Sequence, residues 1–104
     1  MTLVFHPLAE RELVAATNFY ETRSSGLGAD FIRQIEATLA NILAHPELGS
    51  LFAGNKIRRR LVERFPYGVV YELEDDDVLV LAIMHLRRRP GYWKRRLRRF
   101  QSHR

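Results

Sequence analysis

The side chains in this sequence best equipped for chemistry are arginines, and they are concentrated in its second half. Arg58, Arg59, Arg60 and Arg64 fall close together, and Arg87, Arg88 and Arg89 follow directly on His85. Tyr92 and Trp93 come next, ahead of a tail in which Lys94, Arg95, Arg96, Arg98 and Arg99 surround Leu97 and Phe100. A guanidinium fork suits bidentate contact with phosphate or carboxylate. Aromatic rings set among arginines can also stack on bases, so these residues alone are compatible with a plain RNA- or DNA-binding module. Four scattered histidines and no cysteine form no recognisable metal constellation, so no metal or other cofactor is expected. The acidic run Asp75-Asp76-Asp77 reads as a solvated hairpin tip.

The charge distribution strengthens this reading. Net charge is +5, yet residues 1–50 carry three basic and six acidic side chains, against fourteen and six in residues 51–104. The last eighteen residues hold nine Lys or Arg and no acid. A polyanionic or acidic partner at one end of the molecule would account for that asymmetry.

These side chains must be positioned by a small scaffold. A chain of 104 residues, 46% hydrophobic and 11% aromatic, fits one domain with a modest core spanning 1–104 and argues against intrinsic disorder. No apolar run approaches the roughly 20 residues of a membrane span, and Met1 to Ala9 lacks the pattern of a signal peptide. With the lack of cysteine, this fits the cytoplasm.

Thr2–Phe5 is β-prone, and Pro7 suits a first helical position. Ala9, Leu13, Ala16 and Tyr20 then recur at helical spacing to about Arg23. Ser24-Ser25-Gly26 interrupts, and Leu27, Phe31, Ile35, Leu39 and Ile42 carry a second helix to about Ala44, where His45-Pro46 ends it. So short a break predicts an antiparallel helical hairpin.

Residues 46–55 read as a loop. Beyond it the period becomes two: Ile57, Arg59, Leu61, Glu63 and Phe65 share one face of a strand, with Arg58, Arg60, Val62 and Arg64 on the other. If Ile57, Leu61 and Phe65 face the helices, Arg58, Arg60 and Arg64 line the open face of the sheet. Strands from Val69 to Glu74 and from Val78 to His85 complete an antiparallel meander, the latter apolar enough for a central strand covered on both faces. The order β-α-α-β-β-β predicts an α+β two-layer sandwich, a helical hairpin packed on an antiparallel sheet. The tail 94–104 is either a short basic helix, with Arg95, Arg98 and Arg99 along one side, or disordered without a partner.

The sequence resembles the RelE/ParE toxins of type II toxin–antitoxin systems along nearly its whole length, with the ending closer to ParE-like members. The resemblance rests on Ala9-Glu10 and Phe19-Tyr20-Glu21 of the first helix, Ser25-Gly26-Leu27-Gly28 followed by Phe31, and His45-Pro46. It continues in Arg64-Phe65-Pro66-Tyr67 before Val69-Val70-Tyr71, and in the ending that carries His85, Arg87, Pro90, Tyr92 and Trp93. It implies a cytoplasmic growth-inhibiting toxin, of the kind tied to plasmid stabilisation, neutralised by a cognate antitoxin with a flexible acidic tail.

The resemblance also implies one of two activities. RelE-like members cleave messenger RNA on the ribosome; ParE-like members bind and poison DNA gyrase without being enzymes. For cleavage it implies Arg87, Tyr92 and Arg64 as catalytic candidates, with Lys56, Arg58 and Arg60 as second-strand cations. RelE-like toxins carry an arginine just after the aromatic that opens the third strand. Here Tyr67 is followed by Gly68, and that phosphate clamp is missing. Non-enzymatic binding of a macromolecular target such as gyrase is therefore the favoured reading, the mRNA endonuclease the alternative. Under either, Arg58, Arg60, Arg64, His85, Arg87 and Trp93 are expected to contact the target or the antitoxin. Each also has a plain structural alternative: a solvated strand face for Arg58, Arg60 and Arg64, an edge hydrogen bond for His85, and a core cap for Trp93.

Overall fold

The computed structural model describes residues 2–54 and 56–101, with the side chains of 98–101 outside the description. The elements are β1 (Thr2–Phe5), α1 (Pro7–Arg23), α2 (Leu27–Ala44), β2 (Ser50–Ala53), β3 (Ile57–Leu61), β4 (Tyr67–Glu74), β5 (Asp77–His85) and α3 (Lys94–Gln101). One five-stranded sheet runs in the order β1-β5-β4-β3-β2, antiparallel except for β1 alongside β5. The α+β sandwich is found as expected, with α1 and α2 packed on one face of the sheet and two elements added, β2 and α3.

Local chemistry explains the hairpin. Pro7 opens α1, and the His6 ring caps it, Nδ1 accepting the Leu8 N–H at 3.0 Å. The α2 N-cap is Gly26, at φ 88, which has no side chain to offer. Glu21 of α1 caps α2 instead, accepting the N–H groups of Gly26 and Gly28 at 3.0 Å each. Gly28 is required for that approach, because a Cβ there would sit 2.9 Å from both the Glu21 carboxylate and the Thr17 carbonyl. Phe31, Ile35, Thr38 and Ile42 form the buried stripe of α2, meeting Val69, Tyr71, Val78, Val80 and Ile83 of the sheet. A nest of aromatic contacts among Tyr20, Phe31, Phe65 and Tyr67 closes one end of this core.

The sheet departs from expectation in three places. First, the 46–55 loop contains β2, a short edge strand with a bulge between Leu51 and Ala53. Second, β3 ends at Leu61, not Phe65. Arg64 adopts φ 71 in the turn that follows, and this turn returns Val62 and Phe65 to the helix-side core. Third, the facing of β3 is the reverse of the one expected. Ile57 packs with Phe52, Val70, Met84 and Trp93 in a second core on the face away from the helices. Arg58 and Arg60 pair across from Tyr71 and Val69, both of the helix-side core. They therefore lie on the margin of the helix side and do not line an open face. Strict alternation fixes which residues share a face, but only the apolar layer supplied by Trp93 and Leu97 decides which face takes Ile57.

β5 changes phase within its length. Its register with β4 slips between Val70 and Tyr71, so Leu81 and Ala82 both point to the second core, while Val80 and Ile83 point to the helices. β1 pairs with β5 only as far as Val80, whose carbonyl accepts the His6 N–H at 2.9 Å. Beyond it the edge of β5 is open to side chains, and the site is built there.

The tail is helical as far as Gln101. The expected side-by-side placement of Arg95, Arg98 and Arg99 rests on side chains outside the described residues, as do Phe100 and His103.

Candidate functional site

The open stretch of β5 is sealed by two side chains from distant parts of the chain. Glu12 of α1 accepts the Ile83 N–H at 3.0 Å. Arg96 of α3 donates to the Leu81 carbonyl at 2.8 Å and, through both terminal nitrogens, to the Glu12 carboxylate at 2.9 and 3.0 Å. The Tyr92 hydroxyl adds a fourth donor to Glu12, at 2.7 Å. Glu12 and Arg96 thus do for β5 what a neighbouring strand would, and in doing so fix α3 and the 86–93 loop to the body of the protein.

Two guanidinium groups lie close to the Tyr92 ring. Arg88 lies over its ring at 4.0 Å and Arg96 at 5.0 Å. Its phenol pKa is driven up, first by burial, then by the hydrogen bond to Glu12 and the charge of that carboxylate. A phenol whose hydroxyl is already donated to a carboxylate is poorly placed to supply a general acid or base.

Between α1 and the end of β5 lies a cleft of about 260 Å³ bordered by Glu12, Phe19, Tyr67, His85, Arg88 and Tyr92. His85 meets Tyr67 edge-on at 5.1 Å, and its Nδ1 accepts the Arg87 N–H at 3.1 Å. That bond leaves the proton of a neutral His85 ring on Nε2. The Tyr67 phenol pKa is also raised, chiefly by burial, with further contributions from Tyr20 and Glu12.

The residues singled out from sequence fall into separate groups. His85 and Arg87 stay together, and the turn bearing Arg64 lies at the same end of the sheet, because the Leu86 N–H bonds to the Pro66 carbonyl at 2.9 Å. Arg87 and Arg64 are exposed, the latter 5.8 Å from the Phe65 ring. Arg58 and Arg60 are elsewhere, at the C-terminal end of α2. Arg58 donates to the Glu47 and Gly49 carbonyls at 3.0 and 2.8 Å, and Arg60 to Asn41 Oδ1 at 2.5 Å. Arg58 ties the 45–50 segment to the sheet, Arg60 ties α2 to it, and neither joins Arg64. Lys56 is exposed beside β3. Trp93 is 1% exposed and lies 6.0 Å from Phe52 in the second core, so its ring is the core cap and is not presented for stacking. Its Nε1 is buried without a hydrogen-bond partner among the described residues.

Sequence reasoning passes over Glu12, takes Arg96 only as part of a basic tail, and takes Arg88 only together with Arg87 and Arg89, of which one is expected to be functional and two solvated. Glu12 has the look of an ordinary charge on an exposed helix face, and Arg96 is one of several arginines in a basic tail. Only the path of β5 past the end of β1 gives them a role. At Gly68, the position after Tyr67, a Cβ would meet the Arg59 chain at 2.9 Å, so Arg59 passes over the site where the resemblance calls for a cation. Among the described residues no group of three or more potential metal ligands occurs, and no helix is long and apolar enough to cross a membrane.

Known proteins share this architecture. The family described as ParE toxin of type II toxin-antitoxin system, parDE, matches residues 3–90. A solved structure of the chromosomal ParDE system from P. aeruginosa superposes with a TM-score of 0.70 at 18% identity, covering 83% of this chain and 96% of that one. The isolated E. coli RelE toxin superposes with a TM-score of 0.58 at 19% identity, covering 95% and 97%. Among curated proteins, none matches by sequence. The structural likenesses, at such low identity, speak for the fold; the family match covers most of the chain.

Proposed function

This chain belongs to the ParE toxin family of type II toxin–antitoxin systems, and on that premise we propose that it inhibits growth by binding a macromolecular target, DNA gyrase being the one favoured, and not by cutting RNA. Toxins of this class pair with a cognate antitoxin, and the basic second half of the chain offers complementary charge to an acidic partner.

The observation that carries the proposal is the commitment of Tyr92, Arg58 and Arg60 to structural work. Cleaving a phosphodiester by its neighbouring 2′-hydroxyl needs a base, an acid and cations converging on one phosphate. Here the Tyr92 phenol donates to Glu12, Arg58 and Arg60 are bonded to the 45–50 segment and Asn41, and the Arg59 chain that crosses Gly68 carries its guanidinium over the Phe52 ring. Arg64 and Arg87 are exposed, at the end of the sheet where Tyr67 meets His85. His85 beside Arg87 and Arg88 is the one grouping that favours the RelE-like alternative.

Expression without antitoxin separates the readings. The proposal expects DNA damage signalling and filamentation with intact messenger RNA, and expects Tyr92→Phe and Arg87→Ala to leave RNA untouched. Translation arrest with cut messenger RNA, abolished by Arg87→Ala or Tyr92→Phe in folded protein, would replace it with the nuclease.

A further inference from the structure

Sharing Arg88 and Tyr92 with the His85 cleft, a larger hollow of about 450 Å³ lies between the 88–92 loop and the start of α3. Its walls are Arg88, Arg89, Pro90, Gly91, Tyr92 and Arg95. Gly91 takes φ 82, and Lys94 folds across it so closely that a Cβ there would meet Lys94 Cε at 3.0 Å and Nζ at 3.5 Å. Three arginines therefore line one concavity, and Lys94 lies beside it over Gly91.

None of the four is neutralised within the described residues. The ion pairs there are Arg33 with Asp30 and Arg96 with Glu12, and neither involves these cations. The first turn of α3 contains no acid, so the positive end of that helix is uncompensated as well. Like charges held around a hollow repel, and an anion entering it relieves that repulsion. Arg88 is also set in advance, stacked on a Tyr92 ring that Glu12 fixes in turn. Little ordering is left to be done when a ligand arrives.

We propose that this hollow binds the phosphodiester backbone of a nucleic acid. An acidic peptide shares the charge but draws on apolar pockets for its side chains. Here the apolar wall is Pro90, and the Tyr92 face is already covered by Arg88. With that ring covered, bases have no platform, so binding reads charge and not sequence. The proposal goes beyond the choice between gyrase and ribosome and stands whichever is the target.

The test is fluorescence anisotropy of the full chain with a labelled single-stranded DNA oligonucleotide across a salt series. A polyglutamate peptide of equal charge runs in parallel. The informative variant is the double Arg89→Gln/Arg95→Gln, both residues being exposed, against Arg11→Gln/Arg33→Gln on the helical hairpin, which changes net charge equally. The expected result is oligonucleotide binding that tightens as salt falls, is insensitive to base sequence, and exceeds peptide binding. The hollow double variant should also flatten the log–log salt slope by about 1.4, at ~0.7 per lost phosphate contact, with the hairpin variant close to the parent. Equal loss in both doubles would make the attraction diffuse and overturn the proposal. Peptide binding as tight as the oligonucleotide would turn the hollow into an acidic-peptide site, and no binding at low salt would remove it altogether.

Discussion

Replacing Glu12 by alanine should be among the most damaging single changes this fold can suffer, although the residue lies on a helix face that looks solvent-directed in sequence. Glu12 takes four hydrogen bonds, from the Ile83 N–H, the Tyr92 hydroxyl and both terminal nitrogens of Arg96. The side chains of the ion pair are only 9% exposed for Arg96 and 17% for Glu12. Removing one partner of a buried pair leaves the other charge uncompensated and costs about 3–5 kcal/mol. The orphaned Ile83 N–H belongs to the same loss, so about 4 kcal/mol is the working figure. For a domain near this size that corresponds to a fall in Tm of roughly 15–30 °C. Arg96→Met should cost less, about 1–3 kcal/mol, because Glu12 keeps two donors and has some access to water. The double variant Glu12→Ala/Arg96→Met, with no charge left to bury, should fall well short of the sum of its parents, with a coupling of about 2 kcal/mol. Urea unfolding followed by the fluorescence of Trp93, the sole tryptophan, reads all of these. A loss below about 1 kcal/mol for Glu12→Ala, or additivity within about 0.5 kcal/mol in the cycle, would refute the reasoning.

Other consequences are smaller or more local. Tyr92→Phe should cost about 1 kcal/mol, since Glu12 retains Arg96 and Ile83, and should leave antitoxin-free growth inhibition intact. Gly49→Ala should cost about 1–3 kcal/mol by overpacking, because a Cβ there collides with the Tyr71 hydroxyl that donates to the Pro46 carbonyl; thermal melts check it. Tyr20, Tyr67, Tyr71 and Tyr92, all four tyrosines, have pKa values raised chiefly by burial. Folding therefore favours their protonated forms, and the stability they contribute is complete below the ordinary value of about 10 and declines as pH rises above it. Phenolate absorbance should accordingly appear late and together with unfolding; titration near the ordinary value in folded protein would contradict this.

How much of the molecule is legible in its sequence follows from the range of each signal. The hairpin is legible, because Pro7, Gly26 and Pro46 punctuate two stretches of helical period, and local rules govern such boundaries. β2 is not, because four residues between two glycines carry too little pattern to be told from loop. The facing of β3 comes out reversed because it depends on Trp93, more than thirty positions away, supplying a second apolar layer. The same distance hides the site. Arg58, Arg60 and Arg64 look like one cationic row, yet a left-handed turn at Arg64 and the reversed facing of β3 separate them. Glu12 and Arg96 gain meaning only where β1 stops short of the end of β5, a fact of topology and not of composition.

The most direct test of the proposed activity uses purified full-length protein and purified gyrase. Titration into a supercoiling reaction, with end-labelled messenger RNA on ribosomes as the parallel substrate, should arrest supercoiling and leave the RNA whole. RNA cut at defined positions with supercoiling undisturbed would mean that the groups around His85 and Arg87 do assemble into a catalytic centre, and would contradict target binding as the mode of action.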